Sequence, residues 1–121
     1  MKFKIDTKEK LHVITVEETI LAAIMTEDLQ NVLLKYLSGS VKNVIVNLNA
    51  VTDIDEKIAN SLVNVQQTFY DSGNSLVICC LQPKVEKFLE ENEFLEEMNV
   101  TPTESEASDI VQMEEIEREF L

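Results

Sequence analysis

Residues 43–70, NVIVNLNAVTDIDEKIANSLVNVQQTFY, are the stretch that decides the fold of this chain. The stretch opens with a short apolar run at 44–48, rich in β-branched residues, which is typical of a strand buried on both faces. A polar turn follows at 52–57. Beyond the turn, apolar residues recur at steps of three or four, as they do along one face of a helix: Ile58, Leu62, Val65 and Phe69. The stretch predicts a strand, an acidic turn and a helix, and open α/β sheets carry their functional surface at such turns.

Toward the N-terminus, the sequence predicts a β-hairpin and then a helix. Apolar residues alternate with polar ones on both sides of a polar turn at 6–10, as in two antiparallel strands at the edge of a sheet. Residues 19–23 fit a third short strand, although their Ala and Leu content leaves that assignment ambiguous. We expect a helix over 27–37, with Thr26 as its N-cap and Gly39 as a left-handed residue at its C-terminal end.

The helix at about 56–71 carries its own start and stop signals. Asp53 and Asp55 are both candidate N-caps, and Asp53 has the capping-box spacing to Glu56. The sequence Asp-Ser-Gly-Asn at 71–74 predicts the end of this helix. The fully apolar run LVICCL at 76–81 then predicts a second buried strand, adjacent to the first.

Two further helices complete the predicted fold. Pro83 suits the first position of one helix, and Thr103 with Glu106 forms a capping box at the start of the other. The inner face of the final helix is predicted from an apolar stripe: Ala107, Ile110, Val111, Met113, Ile116 and Phe120. Strands alternating with helices indicate one α/β domain over 1–121, with a mixed β-sheet, an N-terminal β-hairpin and about four helices.

The charge of the chain is strongly negative and unevenly distributed. Its formal net charge is −13, of which residues 84–121 contribute 13 acids and only 3 bases. Such a surface repels phosphate backbones and anionic lipid, which argues against nucleic-acid binding. The acidic segment is interpreted as a solvated face, and the alternative is a docking face for a basic partner.

Neither a membrane span nor a signal peptide is evident in the sequence. Its apolar runs stay well below the roughly 20 residues that cross a bilayer, and MKFKIDTKEK at 1–10 lacks the apolar core of a signal peptide. We therefore expect a cytoplasmic protein without direct membrane insertion.

Residues able to carry chemistry are scarce. His12 is the only histidine, so it cannot build a zinc site or a catalytic triad, and we expect it to be a half-exposed strand residue. Cys79 and Cys80 are adjacent within a predicted strand, where neighbouring side chains point to opposite faces, so we expect two reduced core thiols. With two glycines in the whole chain, a phosphate-cradling loop is absent. The sequence predicts a non-enzymatic protein without a cofactor.

The acids of the turn at 52–57 have two interpretations. Asp53, Asp55 and Glu56 are close enough in sequence to bind Mg²⁺ or Ca²⁺ through their carboxylates. Acids in front of a helix are also what capping and the helix dipole favour. We favour capping and predict that no metal binds here.

The order of these elements resembles the STAS domain of anti-sigma-factor antagonists. The resemblance rests on VIVNLNAVTDID followed by a helix, the Gly73 turn before LVICCL, and TPTESEA before the last helix, and it covers nearly the whole chain. In that family the strand is followed by a loop ending in Asp-Ser, then a small residue and glycine. Asp55 matches the Asp, Glu56 stands at the position of the serine, and Lys57 and Ile58 depart from the pattern.

This departure bears on regulation, because in the family a kinase-like anti-sigma factor phosphorylates the serine and a phosphatase reverses the step. Glu56 has no hydroxyl, so the resemblance implies a protein without this switch. One carboxylate charge imitates a phosphate of about −1.5 to −2 only in part. The sequence Asp-Ser-Gly at 71–73 looks like the missing motif but ends the helix instead of starting it.

Two functions follow from the resemblance. One is an antagonist-like binding module of bacterial transcription regulation, with a protein partner such as an anti-sigma factor or kinase-like regulator. The other is a constitutive accessory subunit of a transport or lipid-trafficking complex. A small-ligand sensor is a weaker third alternative, since a polar pocket cannot be read from the sequence. The expected partner-binding residues surround the turn: Asp53, Asp55, Glu56, Lys57, Asn60 and Asn64.

Overall fold

A computed structural model describes residues 1–120 and shows an α/β fold built on a five-stranded mixed sheet. The sheet order is β1-β2-β4-β6-β7, and a separate two-stranded parallel ladder joins β3 to β5. Only β1 is antiparallel to its neighbour in the main sheet. The strands are β1 Phe3–Thr7, β2 Leu11–Val16, β3 Ile20–Leu21, β4 Asn43–Asn47, β5 Asp53–Ile54, β6 Leu76–Cys79 and β7 Val100–Thr101.

In this part of the chain, residues 1–120, four α-helices and three short 3₁₀ helices accompany the strands. The α-helices are α1 Thr26–Leu34, α2 Glu56–Asp71, α3 Pro83–Glu91 and α4 Glu104–Glu119. The 3₁₀ helices are Ala23–Met25, Lys35–Ser38 and Leu95–Glu97. The predicted opening hairpin, the helix at about 56–71 and the helix beginning at Pro83 are all confirmed.

The helices lie on both faces of the sheet because alternate strand residues point to opposite sides. Val46 and Ile78 belong to a large core that α1, α2 and α3 cover. Their neighbours Ile45 and Val77 belong to a smaller core, which α4 covers with Ala107 and Val111. The central strands β4 and β6 are therefore buried on both faces, and they pair in parallel, as the two apolar runs predicted.

Two predicted limits of the first helix are wrong. Thr26 is not its N-cap, because a 3₁₀ turn precedes the helix and the Thr26 hydroxyl donates a hydrogen bond to the Ala23 carbonyl at 2.6 Å. Gly39 has φ −91° and ψ −179°, which is extended backbone that any residue adopts, and a 3₁₀ turn leads into it. The left-handed glycine is instead Gly73, with φ +78°, two residues after the end of α2.

The run at 76–81 is a strand only as far as Cys79. The expectation that its two thiols point to opposite faces of the sheet is wrong. Cys80 has φ +64°, so the chain leaves the extended conformation there. The Cys80 Sγ consequently lies 3.5 Å from the Cys79 Sγ, to which it donates a hydrogen bond, rather than on the opposite face. Both thiols are free, and burial together with the hydrogen bond from Cys80 raises the pKa of the Cys79 thiol.

The inner stripe predicted for the final helix is only half correct. Ala107 and Val111 are buried against the sheet, but the apolar residues beyond them are not. Met113, Ile116 and Phe120 are exposed by 50%, 48% and 83%. The cap is correct, since the Thr103 hydroxyl accepts a hydrogen bond from the Glu106 N–H at 3.1 Å.

His12 is half-buried in β2, as predicted. Its Nδ1 lies 2.8 Å from the Thr7 hydroxyl and its Nε2 lies 3.0 Å from the Val41 carbonyl oxygen. Its ring packs on Tyr36, with centroids 4.3 Å apart. These contacts fully occupy both ring nitrogens, which agrees with a structural role.

Candidate functional site

The turn between β4 and α2 is held in place by the segment that contains β3. The Thr52 N–H donates to the Thr19 carbonyl at 2.7 Å, and the Asp55 N–H donates to the Leu21 carbonyl at 2.9 Å. The carboxyl end of β4 therefore passes into a short paired strand before α2 begins. This pairing fixes where the first turn of α2 meets the solvent.

Asp55 is the N-cap of α2. Its backbone is extended, and its Oδ1 accepts a hydrogen bond from the Lys57 N–H at 2.8 Å, which satisfies one of the free donors at the start of the helix. The predicted capping box between Asp53 and Glu56 is wrong, because the N-cap lies two residues after Asp53. Asp53 belongs to β5 instead.

Asp53 forms an ion pair with Lys84 of α3, with 2.5 Å between Oδ1 and Nζ. The Thr52 hydroxyl donates to its other carboxylate oxygen at 3.3 Å. The hydrogen bond from the Lys84 ammonium group, together with the positive charge of that group, lowers the pKa of the Asp53 carboxyl from its ordinary value. Asp53 therefore already has partners within the domain, which sets it apart from the acids that follow it.

Four of the six residues expected at a partner surface line one open groove at the start of α2. These four are Asp55, Glu56, Lys57 and Asn60, and all are exposed. The opposite wall comes from the turn after α3 and consists of Asn92, Glu93, Phe94 and Glu97. Asn64 is exposed one turn further along α2, outside the groove, and Asp53 also lies outside it.

Glu56 differs from its acidic neighbours in having its carboxylate free. Asp55 caps the helix and Asp53 pairs with Lys84. Within residues 1–120, the structure shows neither a hydrogen bond nor an ion pair to the Glu56 side chain, which stands in the first turn of α2. A helix N-terminus favours a negative charge at this position by about 0.3–1 kcal/mol at the surface.

Two features of this surface were missed by reasoning from the sequence. Ile24 is 91% exposed and, together with Lys57, borders a second hollow beside the groove. The turn at 92–94, with Glu93 at φ +64°, forms the far wall of the groove. The ambiguous segment at 19–23 was the only sequence signal near Ile24, and the proximity of residues 92–94 to α2 depends on the tertiary fold.

The acids of the turn do not converge as metal ligands. In the part of the chain that the structure describes, no group of three or more His, Cys, Asp or Glu side chains is placed to hold a metal ion. Asp53 points to Lys84 and Asp55 points to the backbone of its own helix. Ser61 is buried in α2, and its Oγ has no hydrogen-bond partner within the described residues.

The sequence profile of the STAS domain matches residues 2–107. The chain belongs to the STAS domain family. Sequence comparison with curated proteins gives no significant match. Among the helices of residues 1–120, none has the length and apolar character needed to cross a bilayer.

Solved STAS structures share the fold across almost the whole chain. An anti-sigma factor antagonist from Mycobacterium paratuberculosis is 12% identical, with 92% of this chain and 93% of that chain covered and a TM-score of 0.78. The anti-sigma factor antagonist SpoIIAA in its unphosphorylated form is 18% identical, with coverages of 92% and 96% and a TM-score of 0.71.

The same fold also occurs within a transporter. A murine anion transporter of the Solute Carrier 26 family is 16% identical over 89% of this chain and 18% of its own length, with a TM-score of 0.71. At these identities the structural similarities establish the fold. They also confirm the mixed sheet, hairpin and four helices that the resemblance implied.

Proposed function

We propose that this STAS domain is a non-enzymatic binding module that docks a protein partner through the surface at 52–64, without a serine phosphorylation switch. The free Glu56 carboxylate in the first turn of α2 is the observation that carries the proposal. The partner would be an anti-sigma factor or kinase-like regulator in the cytoplasm, and the process would be bacterial transcription regulation. Support comes from the family and from relatives named as anti-sigma factor antagonists.

The groove supports docking by its composition. Asp55, Glu56, Glu93 and Glu97 supply four carboxylates around it, while Lys57 is its single cation. A partner that presents arginine or lysine to this edge would gain charge-assisted hydrogen bonds. Phe94 supplies an apolar contact on the far wall, and aromatic side chains are enriched at the centres of protein interfaces.

Glu56 would act as a permanent negative charge at this edge. By the STAS resemblance it stands where the family carries its phosphorylatable serine, and a glutamate has no hydroxyl to accept a phosphate. Its single charge lies between a neutral serine and a phosphoserine of about −1.5 to −2. The partner surface would therefore hold one electrostatic state instead of switching between two.

The substitution Glu56→Ser tests this role against simple support of the helix. We expect the variant to keep its fold and to change its affinity for the native partner, measured by isothermal titration calorimetry after purification of that partner from native lysate. Glu86→Ser is the matched control, because Glu86 is an exposed acid in the first turn of α3 and lies away from the groove.

Two results would contradict the proposal. Equal partner affinity for wild type and Glu56→Ser, with only a small loss of stability, would show that Glu56 merely supports the helix. Phosphate located by mass spectrometry at Thr52 or Ser61 of the wild-type protein would show that a phosphorylation switch persists. Ser61 is buried, so its modification would also require local unfolding of α2.

The alternative function is a constitutive accessory subunit of a transport or lipid-trafficking complex. Its support is the similarity to one part of an anion transporter, and this matching part is 18% of the transporter chain. Cross-linking of native membranes followed by mass spectrometry separates the two functions. A permease or transport ATPase cross-linked to this chain supports the alternative, and a soluble kinase-like protein supports the antagonist-like module.

A further inference from the structure

The outer face of α4 carries an apolar stripe that nothing in residues 1–120 covers. Met113 and Ile116 lie in α4, and Phe120 is the C-cap residue directly after it. Their steps of three and four place them along one side of the helix. The buried residues Ala107 and Val111 lie on the opposite side, against the sheet. Isolated exposed apolar residues are ordinary, but three large ones in a row on one helix face mark an interaction surface.

This stripe lies outside the part of the chain that the family match explains. The STAS profile ends at residue 107, and the stripe begins at Met113. It also lies on the face of the sheet opposite α1, α2 and α3, so it is a separate surface from the groove at the start of α2. A partner bound to the stripe would leave the groove free.

Carboxylates surround the stripe. The helix α4 contains seven acidic residues and one arginine. Arg118 is directed inward, where its guanidinium donates to the Ser75 hydroxyl at 3.2 Å. Glu106, Asp109 and Glu117 are exposed and, from the helical spacing, share the outer side with the stripe.

We propose that this face of α4 binds a basic amphipathic helix, with its apolar side on Met113, Ile116 and Phe120 and its lysines or arginines on the flanking carboxylates. Helices that dock in this way place anchors at i, i+3 or i+4 and i+7, which is the spacing of the stripe itself. Opposite charges on the two partners accelerate their encounter and exclude acidic competitors.

Other occupants of the face are disfavoured by the same charges. A second copy of this chain would bring two rows of carboxylates together, in a protein whose net charge is already −13. An anionic membrane would repel the face in the same way. The stripe is also short, so we expect reversible binding of the kind that small interfaces give.

The experiment uses the full chain and two synthetic peptides of identical composition. One peptide places leucine at i, i+3, i+4 and i+7 with lysine elsewhere, and the other has the same residues in scrambled order. Binding is measured by fluorescence anisotropy at low and at high ionic strength. We expect the ordered peptide to bind at least about tenfold more tightly than the scrambled one and to weaken as salt screens the carboxylates.

Variants of the chain then locate the binding site. The double variant Met113→Ser/Ile116→Ser is expected to bind the ordered peptide about tenfold more weakly. The matched control is Ile5→Ser/Ile20→Ser, which removes two aliphatic side chains of similar exposure in β1 and β3 and should leave the affinity unchanged. Circular dichroism and melting temperature check that both variants remain folded. Because the substituted side chains of both variants are solvent-exposed, neither double substitution is expected to unfold the chain.

Each contrary result overturns the proposal. Equal binding of ordered and scrambled peptides, or equal loss in both double variants, would mean that the peptides bind through charge alone or at another surface. A wild-type dimer in sedimentation velocity that Met113→Ser/Ile116→Ser dissociates would identify the occupant as a second copy. Binding of the wild type to phosphatidylglycerol vesicles, lost in the same variant, would identify a membrane instead.

Discussion

The helices α2 and α4 contain 16 residues each and begin with a side-chain cap, yet the sheet buries them to very different extents. In α2 the apolar stripe predicted from the sequence lies in the core along its full length, from Ile58 to Phe69. In α4 the stripe leaves the sheet after Val111, and its second half faces solvent. Apolar residues at helical spacing therefore predict a helix, but they do not predict which side of it other elements will cover.

The difference arises from how the helices share the two faces of the sheet. On one face, α2 packs against both α1 and β6, so its inner side meets another helix as well as the sheet. On the other face, α4 is the one helix of residues 1–120 that packs on the sheet, where it contacts β4, β6 and β7. A helix without helical neighbours buries only the narrow side that touches the strands.

The largest expected effect contrasts Phe69 with Phe120, one near the C-terminal end of each helix. Phe69→Ala should lower the free energy of unfolding by about 3–5 kcal/mol, because a fully buried ring leaves a cavity. Leu62→Ala should cost about 2–5 kcal/mol for the same reason. Phe120→Ala, at an exposed position, should stay within about 0.5 kcal/mol of wild type.

Urea unfolding followed by circular dichroism measures all three variants under one condition. A Phe120→Ala variant as unstable as Phe69→Ala would show that the outer side of α4 is covered in solution. Unchanged stability of Phe69→Ala would show that the core stripe of α2 has been assigned to the wrong side of the helix.

A smaller effect is expected at Ser61, whose buried hydroxyl has no hydrogen-bond partner among residues 1–120. Ser61→Ala removes that hydroxyl and places a better helix former in α2, so we expect a gain of about 1 kcal/mol in the free energy of unfolding. Ser108→Ala in α4 is the matched control, because Ser108 is only half-buried and gains chiefly from helix propensity, by about 0.5 kcal/mol. Thermal unfolding by calorimetry compares the two. A destabilised Ser61→Ala would indicate that the hydroxyl has a partner, such as a bound water.

The smallest expected effect is a difference in pH dependence between the segments that lead into α2 and α4. The ion pair with Lys84 lowers the pKa of Asp53 in the folded state, so the stability it adds is complete above the unfolded pKa of about 3.9. That stability is lost as the pH falls through the lower, folded pKa. The entry into α4 relies on the neutral Thr103 hydroxyl, which does not titrate in this range.

The pH effect is measured as the melting temperature of wild type and Asp53→Asn between about pH 2 and pH 7. We expect the difference between the two proteins to shrink as the pH falls through the folded pKa of Asp53. The effect should be small because the Lys84 side chain is exposed to solvent and that of Asp53 is about half exposed. Lys84→Gln should reproduce the Asp53→Asn profile, and a difference that grows toward low pH would contradict the assignment.

Much of the fold could be predicted because strong local patterns agreed with one another. The two apolar runs predicted β4 and β6 as neighbours, and Pro83 and Thr103 marked the starts of α3 and α4. The details that were predicted wrongly depend on which of several local hydrogen bonds or backbone conformations forms. Residue type alone does not decide between them. Thr26 bonds back to a preceding 3₁₀ turn, and Cys80 turns out of its strand instead of continuing it.

The candidate site could be predicted only in part. Asp55, Glu56, Lys57 and Asn60 are consecutive or one turn apart on one helix, so their proximity follows from helical geometry alone. The opposite wall at 92–97 is more than thirty residues away in sequence and reaches the groove through the packing of α3. Local sequence carries little information about a distant segment of this kind.

The sequence by itself determined the α/β class, the central strands, the position of the cap at Thr103, and the concentration of negative charge after residue 83. These depend on interactions between residues close together in the chain, such as helical periodicity and side-chain capping. The tertiary structure alone decided which acid of the turn stays free and which apolar residues of α4 stay exposed. Both depend on distant segments, since Lys84 engages Asp53 and the sheet reaches only the first half of α4.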